Sequence, residues 1–176
     1  MDLIRLTQDY IFTAFDCGDD DLNQFLFEDA KKSQELCIAN TFILEDDGRI
    51  VAYFCLLNDK ISRKEITNSR WKKIKERFPK SKQFSSYPTI KIGRFAVSLD
   101  YRGQNIGSKL ITKIKGLLKQ EQGRSAFRYL TVDAYLSAVP FYEKNHFAQL
   151  NKKDEELNSL KTKMNLIKHY ILNMLQ

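Results

Sequence analysis

The chain has 176 residues, 43% hydrophobic and 29% charged, with three prolines and a net charge of +7. That length suits one domain with a real core, and the charged fraction with so few prolines argues against disorder. No run of about 18 apolar residues is present to cross a membrane. Asp2 and Arg5 break up any signal-peptide apolar region, so a cytoplasmic protein is expected. Cys17, Cys37 and Cys55 are an odd set at wide spacing, which suits reduced thiols rather than a disulfide framework. Without CxxC or HExxH, and with His146 and His169 far from any cysteine, no metal site is expected.

The opening "LIRLT" alternates weakly and reads as a first strand. In "DCGDDDLNQFLFEDAKKSQELC", residues 19–21 supply an N-cap and favourable charge for a helix. Leu22, Phe25, Leu26, Ala30 and Leu36 recur there at helical spacing. "NTFILEDDGRIVAYFCLLND" is two β-rich runs joined by Asp46-Asp47-Gly48, a hairpin signal. "SRWKKIKERF" predicts a basic helix with Trp71, Ile74 and Phe78 on one face, stopped by Pro79. "TIKIGRFAVSL" predicts a strand. After a glycine-containing turn comes a helix with Ile106, Leu110, Ile111, Ile114, Leu117 and Leu118 in one stripe. "FRYLTVDAY" reads as a strand and "SAVPFYEKNH" as a short helix with Pro140 near its start. "LKTKMNLIKHYI", with Met164 and Leu166 alternating, reads as a final strand. The order β-α-β-β-(α)-β-α-β-α-β predicts a single α/β domain, α+β in detail, over residues 1–176, on a mixed, mostly antiparallel sheet with helices on both faces.

The charge is unevenly placed. Residues 60–84 carry ten Lys/Arg against Glu65 and Glu76, while the rest of the chain holds 19 basic and 20 acidic residues. A concentrated positive field of this kind steers anions, nucleic acid among them, although a solvated helix face is the plainer reading. The segment has one tryptophan and no clear aromatic interleaving for stacking bases.

"YRGQNIGSKL", residues 101–110, follows a strand and opens a helix, so several N–H groups and the positive helix end converge on one point. A tight connection with nothing bound would look the same. A nucleotide P-loop fails, because Gly103 to Gly107 is one residue short and Leu110 stands where the metal-binding hydroxyl belongs. A GxGxxG dinucleotide turn is absent as well. The remaining phosphate reading is the pyrophosphate of coenzyme A.

"RFAVSLDYRGQNIGSKLI" resembles the acetyl-coenzyme A motif of the GNAT acetyltransferase superfamily, [QR]-x-x-G-x-[GA], here Arg102-Gly103-Gln104-Asn105-Ile106-Gly107. Asn105 stands where the family's middle glycine usually is, and Asn is the residue that best tolerates a left-handed backbone after glycine. Downstream, "AVPFYEKNHF" is similar to the family's A-x-x-F-Y-E-K-x-G-F, with Tyr142 on the tyrosine often used as general acid and His146 in place of a glycine. Tyr135 stands where many members have a cofactor-holding Asn, and that role is not carried over.

The resemblance implies a GNAT-like domain whose sheet is splayed at a cofactor wedge, with a basic helical insertion at about 60–84. It implies acetyl-coenzyme A as donor and no metal. Phe95, Ala96 and Val97 would pair with the pantetheine arm, and Arg102, Gly103, Gln104, Asn105, Ile106, Gly107 and Ser108 would hold the pyrophosphate. The reaction implied is direct attack of a primary amine, with Tyr142 protonating the leaving thiolate. The cofactor strand has no Glu or Asp to act as base, and Asp133 on the next strand is the nearest carboxylate. An α-amine, with pKa of about 7.7–8.0, needs less help than a lysine-like amine near about 10.4.

"FDCGDDDLNQFL", "IGRFAV" and "VDA" also resemble segments of bacterial GNAT toxins that acetylate the α-amine of aminoacyl-tRNA, and Arg94 is an arginine those toxins share. From the sequence, a small-molecule or peptide amine is the leading acceptor. tRNA held by residues 60–84 is the alternative, and a non-catalytic acyl-coenzyme A binding module is another. A membrane partner is not expected, while a homodimer is compatible with the family. The acceptor pocket is expected from the first helix, the insertion and the loop at 151–158.

Overall fold

A computed structural model describes residues 1–76, 78–79, 84–121, 125–150 and 167–173, the last segment by its backbone. Strands β1 (Asp2–Arg5), β2 (Asn40–Asp46), β3 (Arg49–Ser62), β4 (Ser86–Val97), β5 (Tyr129–Tyr135), β6 (Ala148–Gln149) and β7 (Ile167–Asn173) accompany helices α1 (Asp20–Gln24), α2 (Ala30–Glu35), α3 (Asn68–Lys75), α4 (Ile106–Glu121) and α5 (Val139–Lys144). The pairings β1–β2, β2–β3, β5–β7 and β6–β7 are antiparallel, in keeping with a mostly antiparallel sheet.

The chain forms two compact units, one of Met1–Leu57 with Ile92–Gln120, the other of Asn58–Lys91 with Glu121–Gln176. Strand order is β1-β2-β3-β4 in the first and β3-β4-β5-β7-β6 in the second, since β3 and β4 contribute to both. The two-residue strand β6 has too little sequence to carry a period. The expected final strand is β7. Met164 and Leu166 lie outside the described residues, as do Arg77, Lys80, Lys82 and the loop at 151–158.

In the first unit, Asp47 and Gly48 form the turn between β2 and β3, and Asp46 pairs with Arg49 across it. The first helix starts where the acidic run predicts, with the Asp19 side chain accepting from the Leu22 N–H. A π-helical stretch, Phe25–Asp29, then separates α1 from α2, and the Ala30 N–H reaches back to the Phe25 carbonyl. The extra residue in that turn lets Leu26 and Ala30 both bury fully. Leu36 departs from expectation. It follows the last residue of α2 and is 59% exposed, so the apolar stripe ends at Ala30. Ala96 of β4 joins Leu26, Ala30, Ile43, Ile50 and Tyr53 in this unit's core.

Gly93 in β4 is a site of close approach. A Cβ there would stand 2.4 Å from Leu57 Cδ2 and 3.0 Å from Cys55 Sγ. Gly93→Ala is expected to destabilise by about 1–2 kcal/mol, the usual cost of overpacking less the entropy gain of removing a glycine. A urea midpoint equal to or above wild type would show that Leu57 yields without cost.

In the second unit the basic segment is not one helical insertion. Residues 60–62 end β3, a 3₁₀ turn follows at Arg63–Glu65, and α3 occupies Asn68–Lys75. Trp71 and Ile74 bury against Ile61, Ile66, Tyr87 and Tyr129, with Phe78 packed beside them. The face opposite carries Lys72 and Lys73 into solvent.

Candidate functional site

The motif turn is built by backbone conformation. Arg102, Gly103, Gln104 and Asn105 are exposed, and α4 begins at Ile106. Gly103 has φ +77°, and an added Cβ would meet nothing within 4 Å, so the space over it is open. Asn105 has φ +59°, the left-handed conformation expected of the residue replacing the middle glycine. The first helical bond is Lys109 N–H to the Asn105 carbonyl, 3.2 Å. The amides of residues 105–108 therefore precede any intrahelical carbonyl and face outward with the positive helix end. Those residues fit the pyrophosphate of coenzyme A: an exposed, open turn of amides with no carboxylate among residues 102–108.

Other members of the predicted set take different places. The Arg102 guanidinium is not aimed over the turn. It donates to the Cys17 carbonyl and ties the turn to the loop before α1. Leu99 N–H donates to the Asp16 carbonyl at 2.9 Å, and the Leu99 side chain lies over Gly18. Gln104 reaches back to the Asp100 carbonyl at 3.4 Å, and the Ser108 carbonyl accepts from Thr112. A cavity of about 480 Å³ borders this region, lined by Phe15, Asp16, Ile50, Leu99, Asp100 and Tyr101 among others. Its lining includes none of residues 102–108, so it neighbours the turn and is not the cradle. On β4, Ala96 is buried in the core while Phe95 and Val97 are half-buried. Arg94 lies 3.5 Å from Asp21 and 5.3 Å from the Phe25 ring centroid, which holds its cation at the start of the first helix.

In the second unit, Tyr142 is 5% exposed and its ring packs edge-on against Phe141 and Phe147. Burial raises its phenol pKa above the ordinary 10.0, so the hydroxyl keeps its proton throughout the neutral range. A helix stop fixes this tyrosine. Phe147 N–H bonds the Tyr142 carbonyl and His146 N–H bonds the Glu143 carbonyl, both at 3.0 Å. The two bonds and the Tyr142–Phe147 ring contact make a Schellman motif, whose αL position is His146 at φ +70°. That is why the related pattern has glycine there. Asp133 pairs with Lys91 of β4. Thr131 on the same strand face donates to Asp59 at 3.1 Å. The Lys91 ion pair is the feature the sequence reading missed, since residues 42 apart carry no local signal.

The Acetyltransferase (GNAT) family pattern matches residues 3–147, and the chain belongs to that family. Its class is thus acetyltransferase, with acetyl-coenzyme A as donor. Among solved structures, AtaT complexed with acetyl-methionyl-tRNAfMet is similar at 19% identity and TM-score 0.77, over 99% of this chain and 95% of that one. A tyrosine-to-phenylalanine mutant of KacT is similar at 21% identity and TM-score 0.77, over 99% and 95%. AtaTR bound with AcCoA is similar at 20% identity and TM-score 0.75, over 99% and 94%. At those identities the likeness is one of fold. Among the described residues, no group of three or more His, Cys, Asp or Glu could hold a metal ion, and no helix is long and apolar enough to cross a membrane.

Proposed function

We propose that this chain N-acetylates the α-amine of an aminoacyl-tRNA in the cytoplasm. The observation that carries the reading is the engagement of Asp133, the candidate base, by Lys91, which leaves that carboxylate poorly placed to take a proton from a strongly basic amine. An α-amine with pKa near about 8 is already partly neutral at pH 7 and needs no such base. The tRNA bound to AtaT, a fold relative over nearly the whole chain, and the exposed Lys72 and Lys73 of α3 support the same acceptor.

Acetyl-coenzyme A supplies the thioester carbonyl that the amine attacks. The amides of residues 102–108 hold its pyrophosphate, and the main chain of Phe95, Ala96 and Val97 holds its pantetheine arm as an added strand. Amide N–H groups of β4 stabilise the developing negative charge on the carbonyl oxygen. Tyr142 Oη gives its proton to the departing thiolate and is restored by the proton that the attacking amine nitrogen loses, a role its burial favours by keeping the phenol protonated. Arg94 and Asp21 pair at the start of the first helix, which is expected to line the acceptor pocket.

Acetyl transfer to aminoacyl-tRNA, compared with a free amino acid and a polyamine, tests the proposal. Turnover on aminoacyl-tRNA should rise with pH to a plateau above about 8 and fall steeply with salt. Equal turnover on the small amines, with no salt dependence, would overturn the tRNA reading.

A further inference from the structure

The described part of the basic segment hides an aromatic stack that the sequence does not reveal. Phe78 and Tyr87 lie face to face, centroids 4.0 Å apart and planes 9° from parallel. The Arg128 guanidinium sits 5.5 Å from the centroid of Phe78. Trp71 tilts against Tyr87 at 5.4 Å. Phe84 meets Tyr87 edge-on at 6.3 Å and is itself 65% exposed. A buried aromatic column thus ends in one exposed ring.

Cations lie on the elements that carry this column. Arg63 N–H bonds the Ser85 carbonyl at 3.0 Å, which joins the backbone of the Arg63–Glu65 turn to the residue after Phe84, and Arg63 and Lys64 are both exposed. Lys72 and Lys73 project from the outer face of α3, whose inner face carries Trp71. Arg128 Nε is buried without a hydrogen-bond partner among the described residues. Arg70, by contrast, is spent on the carbonyls of Gln149 and Leu150 and belongs to the scaffold.

An exposed aromatic face flanked by positive charge is the pattern of single-stranded nucleic-acid platforms: the ring stacks a base and the cations hold its phosphates. The same charge argues against a second copy of this chain, because two such faces would repel. We propose that Phe84 is a stacking platform for an unpaired RNA base, with Arg63, Lys64, Lys72 and Lys73 holding the adjoining phosphates. The inference rests on the aminoacyl-tRNA reading and names a contact within it. Hence the ring supplies preference for unpaired RNA, and the cations supply salt-dependent affinity.

The test is a fluorescence titration of the full chain with a short single-stranded RNA carrying 2-aminopurine, beside the matched duplex. Wild type should bind the single strand more tightly and change the 2-aminopurine emission. Phe84→Ala should weaken single-strand binding by about tenfold and abolish the emission change, with an unaltered salt slope because no charge is lost. Phe84→Trp should restore both. Lys72→Ala with Lys73→Ala should lower the salt slope by about 1.4 and keep the emission change. Equal affinity and emission change in Phe84→Ala would overturn the platform. So would altered sedimentation of RNA-free Phe84→Ala with unchanged RNA affinity, which would assign the ring to a protein contact. Base stacking without acetylation of aminoacyl-tRNA would overturn the acceptor reading alone.

Discussion

Tyr142→Phe is expected to lower kcat by about 10²- to 10⁴-fold, the usual worth of a positioned general acid, with the KM for acetyl-coenzyme A nearly unchanged. The substitution removes one oxygen and keeps the ring that packs on Phe141 and Phe147. The helix stop that orients residue 142 uses backbone carbonyls, which the substitution does not touch. Loss should therefore appear in turnover and not in folding. Because burial raises the phenol above its ordinary pKa of 10.0, the wild type should show no alkaline loss of activity between about pH 8 and 10. Thiol release followed against pH in both proteins checks the two statements together. A variant kcat within about threefold of wild type would mean the thiolate takes its proton from elsewhere.

The second large effect concerns the turn. Gly107→Glu should reduce acetyl-coenzyme A affinity by about a hundredfold or more, because it sets a carboxylate in the first turn of α4, where the pyrophosphate is proposed to rest. The same change should leave Tm equal or higher. An acidic residue in a first helical turn favours the helix end, and glycine is a poor helix former by about 1 kcal/mol. Opposite signs for binding and stability separate a lost site from a damaged fold. Calorimetric titration beside a melting curve reads both. Unchanged affinity would place the cofactor away from these amides.

Local chemistry made much of this legible from sequence. The Asp47-Gly48 turn, the stripe of α4 and the left-handed Asn105 each depend on residues within a few positions. Trp71, placed on one helix face with Ile74 by their spacing, is buried with it. What escaped the reading depends on distance or on phase. The π-helical stretch shifts the helix by one residue, so a simple 3.6 period misplaced Leu36. The motif arginine is normally thought of through its place beside phosphate, yet its side chain serves a carbonyl 85 residues away. The aromatic column gathers Phe78, Phe84, Tyr87 and Arg128 from a helix end, a strand and a loop, with no spacing that would announce it.

The tether from Arg102 to the Cys17 carbonyl has a thermodynamic meaning beyond its geometry. One end belongs to the turn proposed to grip the donor, and the other to the loop that leads into the first helix. Any ligand that biases the loop toward the tethered arrangement also biases the turn. By linkage the turn's own ligand returns that bias by the same factor. Donor and acceptor occupancy would then be reciprocally coupled through one guanidinium, without either ligand touching the other.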